Sequence, residues 1–314
     1  MQQQRIAVVV NPERRDELEQ FLAATVDGRA DGPVDIEVIE PDGFDEFVDA
    51  LRNAAESFDV VAAIGGDGTQ RTAAQALKGT GAALAIVPGG TVNLLARVLG
   101  VTSIEDAGAA VVGGRRRTID TGVIVGDRSG VPQDGQAHDE ETDGDETFVL
   151  QASTGYDAAV MERVDDGAKR WGRLGYFLTG VRTLRSHRPR HVRVTIDGAL
   201  FFAGRAMSVM VTNVGERGSA EFTIAPGSAP DDGRLDVVIQ RCDSARTMMR
   251  TLWTLYRKRE PRADDLLVEH GRAVGVTWSA PVACQRDGDA AGRCVRADYR
   301  IDPASLTVLV PVTP

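Results

Sequence analysis

The sequence predicts an α/β protein of two lobes, a parallel-sheet lobe followed by an antiparallel β-sandwich or barrel. Three observations predict it. Apolar runs and helical patterns alternate strictly over the first 115 residues, glycine-rich turns follow two of those runs, and after "GGRRRT" the chain changes to β-rich segments separated by turn residues. A chain of 314 residues can fill roughly two domains of about 150 residues, each with its own core.

Each element follows from its pattern. "RIAVVV" (5 to 10) reads as a strand, "RRDELEQFLAATV" (14 to 26) as a helix, "VDIEVIE" (34 to 40) as a strand and "FDEFVDALRNAAESF" (44 to 58) as a helix. "VVAAI" (60 to 64) is a buried strand and "QRTAAQAL" (70 to 77) a helix, which leaves Gly65 to Thr69 as the turn between them. "ALAIVP" (83 to 88) is the next strand, followed by helices from about Asn93 and over 103 to 112. Such alternation means parallel pairing with right-handed crossovers. Ligands bind beyond the carboxyl ends of such strands, where both glycine turns fall. Further along, "RTIDTGVIVG", "ETFVLQAST", "HVRVTIDG", "LFFAGRAMSVMVTNV", "RLDVVIQR", "AVGVTWSAPVACQRDG" and "SLTVLVP" are strand-like, with helical patterns only at "GRLGYFLTGVRTLRS" and "SARTMMRTLWTLYRKRE". That spacing predicts antiparallel pairing, and a cleft is expected between the lobes.

Composition excludes several functions. Acids outnumber bases 46 to 36, and the only lysines are Lys78, Lys169 and Lys258. A net charge of −10 argues against nonspecific binding of nucleic acid, which needs a basic surface. The acid excess fits either a surface suited to concentrated salt or codon usage that favours arginine. No apolar run approaches the roughly 20 residues that span a bilayer, and the start lacks a signal-peptide core, so a soluble, cytoplasmic protein is expected. Cys242, Cys284 and Cys294 show no CxxC spacing and are expected as free thiols in a reducing compartment. His187 and His191 lack a CxxC partner and are expected to be structural or surface residues rather than zinc ligands. The acidic run "DGQAHDEETDGDE" (134 to 146) reads as a solvated loop, without the glycine and glutamate spacing of an EF-hand. Nothing sets the oligomeric state, and a dimer is compatible with the sequence.

The two glycine turns carry the chemistry. Gly65, Gly66 and Gly68 precede or open a helix, whose free N–H groups and positive dipole end favour an anion. "PGGTVN" repeats the logic with Pro88, two glycines, Thr91 and Asn93 at a helix start. Two such turns one βα unit apart predict a site for nucleotide phosphates.

The motifs also match a family. GGDGT (65 to 69), P-x-G-T-x-N-x-x-A-R (Pro88, Gly90, Thr91, Asn93, Ala96, Arg97), "APGSAPDDGRLDVVI" (225 to 239) and "VACQRDGD" (282 to 289) occur in order. On these the chain resembles the diacylglycerol kinase catalytic-domain family of lipid kinases, which includes sphingosine kinases. The resemblance implies a Rossmann-like nucleotide lobe over 1–117 and a β-sandwich substrate lobe over 118–299. It also implies a last strand, about 300–314, that returns to the first lobe.

In function it implies ATP-dependent phosphorylation of a lipid hydroxyl, diacylglycerol or a related glycerolipid, by a protein peripheral to the membrane. Carried over by position, Gly65, Gly66, Gly68 and Thr69 cradle phosphates, and Asn11, Gly90, Thr91 and Asn93 border the nucleotide. Asp67 holds Mg2+ or bears on the acceptor hydroxyl, Asp287 is the general base and Asp232 is associated with magnesium. The sequence departs from the family where NP-x-SG becomes "NPERRDE" and where DGE becomes Asp287-Gly288-Asp289. Asp-Gly is also a plain hairpin signal. Two alternatives stay open, an NAD kinase-like phosphotransferase and a nucleotide-binding regulator with weak catalysis. The stretch from 244 to 260 reads as a basic amphipathic helix, with Met248, Met249, Leu252, Trp253 and Tyr256 on one face. That face either covers the sandwich core or lies on an anionic membrane.

Overall fold

The computed structural model describes residues 4–11, 14–27, 35–90, 92–126, 145–164, 172–217, 222–225, 227–242, 244–257, 259, 261–262 and 264–312. The chain divides into two units. One holds the residues up to Thr121 with the segment from Pro303 onward, and the other lies between Gly122 and Asp302.

The first unit runs β1 (Arg5–Val10), α1 (Arg15–Asp27), β2 (Asp35–Ile39), α2 (Phe44–Ser57), β3 (Val60–Gly65), α3 (Asp67–Leu77), β4 (Ala83–Pro88), α4 (Leu94–Val98) and α5 (Ile104–Gly113), then enters β5 (Arg115–Val125). Its strands pair in parallel, β2 on β1, β1 on β3 and β3 on β4, with Val8 opposite Val38 and Ala62, and Ala62 opposite Ala85. Continuous apolar runs suit strands covered on both faces, and every residue of β3 is buried. The edge strand β2 has no buried residue. On α2 the buried face is Phe47, Leu51, Ala54 and Ala55, and on α3 it is Gln70, Ala73, Ala74 and Leu77, both at helical spacing. Helix α5 opens on a capping box between Ser103 and Asp106.

The second unit runs β6 (Glu146–Phe148), β7 (Gln151–Gly155), α6 (Tyr156–Arg163), α7 (Gly172–Ser186), β8 (Arg190–Ile196), β9 (Ala199–Ala206), β10 (Ser208–Thr212), β11 (Glu216–Arg217), β12 (Phe222–Thr223), β13 (Leu235–Gln240), α8 (Ala245–Tyr256), β14 (Leu266–Gly271), β15 (Ala273–Arg286) and β16 (Asp289–Val310). Antiparallel ladders join β14 to β13, β13 to β10, β10 to β7, β7 to β15, β15 to β16 and β8, and β8 to β9. Val194, Val211, Val237, Val276, Trp278 and Tyr299 lie in its core. The far end of β16 belongs to the first unit, where Val308 pairs in parallel with Leu84 and the Gly79 N–H donates to the Ser305 carbonyl at 2.8 Å.

Three expectations need correction. The texture suggested helices at only two places in the second lobe, whereas α6 is a third. It is eight residues long, too short for its periodicity to stand out, and it is capped by Gly155, whose φ of 97° favours glycine. Cys284 and Cys294 form a disulfide instead of remaining free, and Cys242 alone is a free, buried thiol. Antiparallel pairing of β15 with β16 around one turn brings the two Cα atoms to 6.5 Å. A CxxC rule does not register hairpin partners ten residues apart. On α8 the core face is Met248, Thr251 and Leu255, so Met249 and Trp253 are 38% and 57% exposed rather than sharing one face with Met248. The acidic run from 134 to 144, Pro12, Thr91 and Lys258 lie outside the described residues.

Candidate active site

The carboxyl ends of β1, β3 and β4 bring most of the expected nucleotide residues together. The two glycine turns lie against each other, and the Gly89 N–H donates to the Gly65 carbonyl at 2.9 Å. A Cβ on Gly90 would stand 2.6 Å from the Gly66 Cα, and one on Gly66 would stand 3.3 Å from the Gly90 Cα. A Cβ on Gly65 would collide with the Thr69 side chain. Gly66 is the N-cap of α3 in extended conformation and Gly68 is exposed in its first turn. Asn11, just beyond β1, donates from Nδ2 to the Thr69 Oγ1 at 3.4 Å.

Two polar side chains fasten the second turn. Asn93 adopts a left-handed conformation, φ 51° and ψ 50°, which asparagine tolerates better than most residues. Its Oδ1 accepts from the Gly90 N–H at 2.9 Å and its Nδ2 donates to the Gly90 carbonyl at 2.7 Å. Asp67 reaches across from the first turn, and its Oδ1 accepts from the Leu94 N–H at 2.7 Å. Asp67 thereby supplies an acceptor to the first turn of α4. Gln70 was not expected as part of this site. Buried on α3, its Nε2 donates to the carbonyls of Ala63, Val87 and Gly65 at 2.8, 3.1 and 3.3 Å, tying the ends of β3 and β4 to the helix. A glutamine at helical spacing with Ala73, Ala74 and Leu77 was the signal in the sequence.

Asp232 and Asp287 belong to the second unit. Asp232 is exposed and closes its own turn, with Oδ1 accepting from the Arg234 N–H at 2.9 Å. Four residues on, burial pushes the Asp236 carboxyl up from its ordinary value, and the charge of Asp232 acts in the same direction. Among the described residues no group of three His, Cys, Asp or Glu side chains gathers to hold a metal ion.

Asp287 and Gly288 make the hairpin turn between β15 and β16, with φ of 48° and 91°, the paired positive values of a type I′ turn. The Asp287 side chain also does more than turn the chain. It is 8% exposed, Oδ2 accepts from the Val149 N–H at 3.0 Å, and Oδ1 accepts from the Leu150 and Gln151 N–H groups at 2.9 Å each. Behind it is a buried network missed in the sequence. The Gly288 N–H donates to Gln285 Oε1 at 2.9 Å, Gln285 Nε2 donates to Ser153 Oγ at 2.9 Å and to Asp157 Oδ2 at 3.3 Å, and Ser153 Oγ donates to Asp157 Oδ2 at 2.7 Å. A buried carboxylate, a hydroxyl and an amide that satisfy one another fix the hairpin that presents Asp287.

Known proteins match this arrangement over nearly the whole chain. Residues 5–124 match the diacylglycerol kinase catalytic domain. Residues 151–310 match the YegS C-terminal NAD kinase beta sandwich-like domain. A diacylglycerol kinase of Mycobacterium tuberculosis is 29% identical over 281 residues, 88% of this chain and 84% of the relative. The diacylglycerol kinase of Bacillus subtilis is 28% identical over 248 residues, 77% of this chain and 75% of the relative. The crystal structure of a diacylglycerol kinase from Bacillus anthracis superposes with a TM-score of 0.69 at 15% identity, covering 99% of this chain and 98% of that one, a likeness of fold. A parallel α/β unit bearing paired glycine turns and a β-sandwich unit, each matched by its own family model, make this chain a kinase that belongs to the diacylglycerol kinase catalytic-domain family of lipid kinases.

Proposed function

We propose that this kinase transfers the γ-phosphoryl group of ATP to the hydroxyl of a membrane lipid alcohol, with diacylglycerol the first candidate. The observation that carries the reading is the locked pair of glycine turns, Gly65–Gly66 against Gly89–Gly90, at the carboxyl ends of two adjacent parallel strands. Two curated relatives covered over three quarters or more of their length are named diacylglycerol kinase, which supports that lipid as acceptor.

Phosphoryl transfer depends chiefly on alignment and charge neutralisation. In this reading the backbone of Gly65, Gly66 and Gly68 and the Thr69 hydroxyl receive phosphate oxygens at the start of α3. Asn11 and Asn93 hold the rim, Gly90 packs the second turn against the first, and Thr91 is proposed to border the nucleotide. A magnesium ion in nucleotide enzymes takes one or two carboxylates and the phosphates themselves rather than a protein cage. Asp67 and Asp232 have the right chemistry, and the ion would neutralise phosphate charge. Asp287 is the proposed acceptor of the hydroxyl proton, an anion held in place by three backbone donors.

The test is incubation of the purified protein with labelled ATP and magnesium and, separately, diacylglycerol, a sphingoid base, an isoprenoid alcohol, a glycerol ether lipid and NAD. Phosphorylated diacylglycerol is expected. Asp287→Asn should lower turnover about 10²-fold while ATP still binds. It should also lower unfolding stability by about 1–3 kcal/mol, because an amide cannot accept all three N–H donors. Phosphorylation of NAD alone would establish the NAD kinase-like alternative, and a fully active Asp287→Asn protein would leave the residue only its structural role.

A further inference from the structure

A cavity rich in arginine lies on α8 and the chain after it, in the second unit. A cavity of about 240 Å³ is lined by Arg250, Thr251, Thr254, Arg259, Arg262 and Asp265, with Pro261. Arg250 donates to the buried Asp265 carboxylate at 2.6 Å, which neutralises and fixes one guanidinium. Arg259 and Arg262 are exposed and have no side-chain partner among the described residues. The cavity therefore carries a net positive charge in a chain whose overall charge is −10. Guanidinium forks match tetrahedral phosphoryl oxygens in geometry as well as charge.

Apolar surface lies beside this charge. Trp253 is 57% exposed and Met249, one turn earlier, 38% exposed. The Arg257 guanidinium stacks 4.9 Å from the Trp253 ring centroid, and Arg246 and Arg250 are exposed on the same helix. An exposed tryptophan flanked by arginines suits the boundary between headgroups and acyl chains.

We propose that this face docks on an anionic phospholipid surface. A headgroup phosphodiester enters the cavity of Arg250, Arg259 and Arg262, while Trp253 and Met249 rest at interfacial depth. The docked lipid need not be the one phosphorylated. The proposal rests on the lipid-kinase reading only for the presence of a bilayer, so its test measures binding without turnover.

The protein is sedimented with vesicles of phosphatidylglycerol and phosphatidylcholine that hold no acceptor lipid, at low and at molar salt. Arg259→Glu with Arg262→Glu should weaken low-salt binding about tenfold or more. Trp253→Ala should remove the binding that survives molar salt, where the Debye length is about 3 Å. Arg182→Glu with Arg185→Glu, on α7, should bind as the parent does. Circular dichroism confirms that each variant is folded. Equal binding by the Arg259/Arg262 variant, or a parent protein that ignores anionic vesicles, overturns the proposal. If inorganic phosphate raises the melting temperature of the parent but not of that variant, and vesicles do not bind, the cavity is a site for soluble phosphate and docking fails. A protein that docks as described yet phosphorylates no lipid leaves the docking intact and removes the acceptor assignment.

Discussion

At Gly90 the space for a side chain is already taken. The Gly66 backbone occupies it at 2.6 Å and Asn93 Oδ1 at 2.9 Å, so each glycine turn is the steric boundary of the other. Gly90→Val should therefore cost about 1–3 kcal/mol as overpacking, measured by urea unfolding, and should weaken ATP binding through displacement of the Gly66 turn. A folded Gly90→Val protein with unchanged ATP affinity would show that the paired turns do not frame the nucleotide. The glycines themselves were legible in the sequence, but read singly they promised room for phosphate. Their packing against one another depends on the Ala62–Ala85 register of two strands, which no local pattern states. The reach of Asp67 to the Leu94 N–H, 27 residues away, was hidden for the same reason. Asp287 stood out only as an Asp-Gly turn or a base, because its three N–H donors come from the Val149–Gln151 corner, far away in sequence.

The elements were legible where their pattern is long or continuous. The apolar runs of β1, β3 and β4 and the amphipathic face of α2 declare themselves, whereas α6 shows how a short helix escapes. Helix α7 adds a titration that its sequence does not announce. Just beyond it, burial holds the His187 imidazole below the ordinary histidine value against an opposing hydrogen bond with the Met207 backbone, and the charges of Arg190, Arg163 and Arg293 add to the lowering. The ring also meets Tyr156 edge to face at 5.7 Å. Folding disfavours the protonated form of His187, whereas the unfolded chain protonates it near its ordinary value of 6.5. Its stabilising contribution is thus complete above that pH and is lost as the pH falls below it. His187→Phe, which retains the ring contact, should flatten the fall in stability as the pH drops below about 6.5, measured by denaturant unfolding. An unchanged acid limb would place the sensitive group elsewhere.

For the whole molecule, alternation followed by β-rich texture was enough to predict two lobes of different class. What a strand pattern cannot state is its partner. "SLTVLVP" reads as a strand anywhere, but in the structure β16 leaves the second unit and Val308 joins Leu84 of β4 in the first. Ala304, at a φ of 50°, sits at this passage, and its N–H donates to Asp120 Oδ1 at 2.7 Å. A chain ending at Asp302 should therefore lose protection in β3 and β4 while β10 and β13 stay protected, as read by hydrogen exchange. Uniform loss in both units would mean that they fold as one cooperative block.

The same passage sets a timetable for synthesis. Residues up to Thr121 are made before the second unit, but the strand that covers β4 is made only after the chain from Gly122 to Asp302. At roughly 5–20 residues per second, the delay is about ten to forty seconds. For that interval the apolar edge of β4, Ala83 to Val87, lacks this parallel neighbour. A growing chain is then open to aggregation through an edge that the finished protein covers.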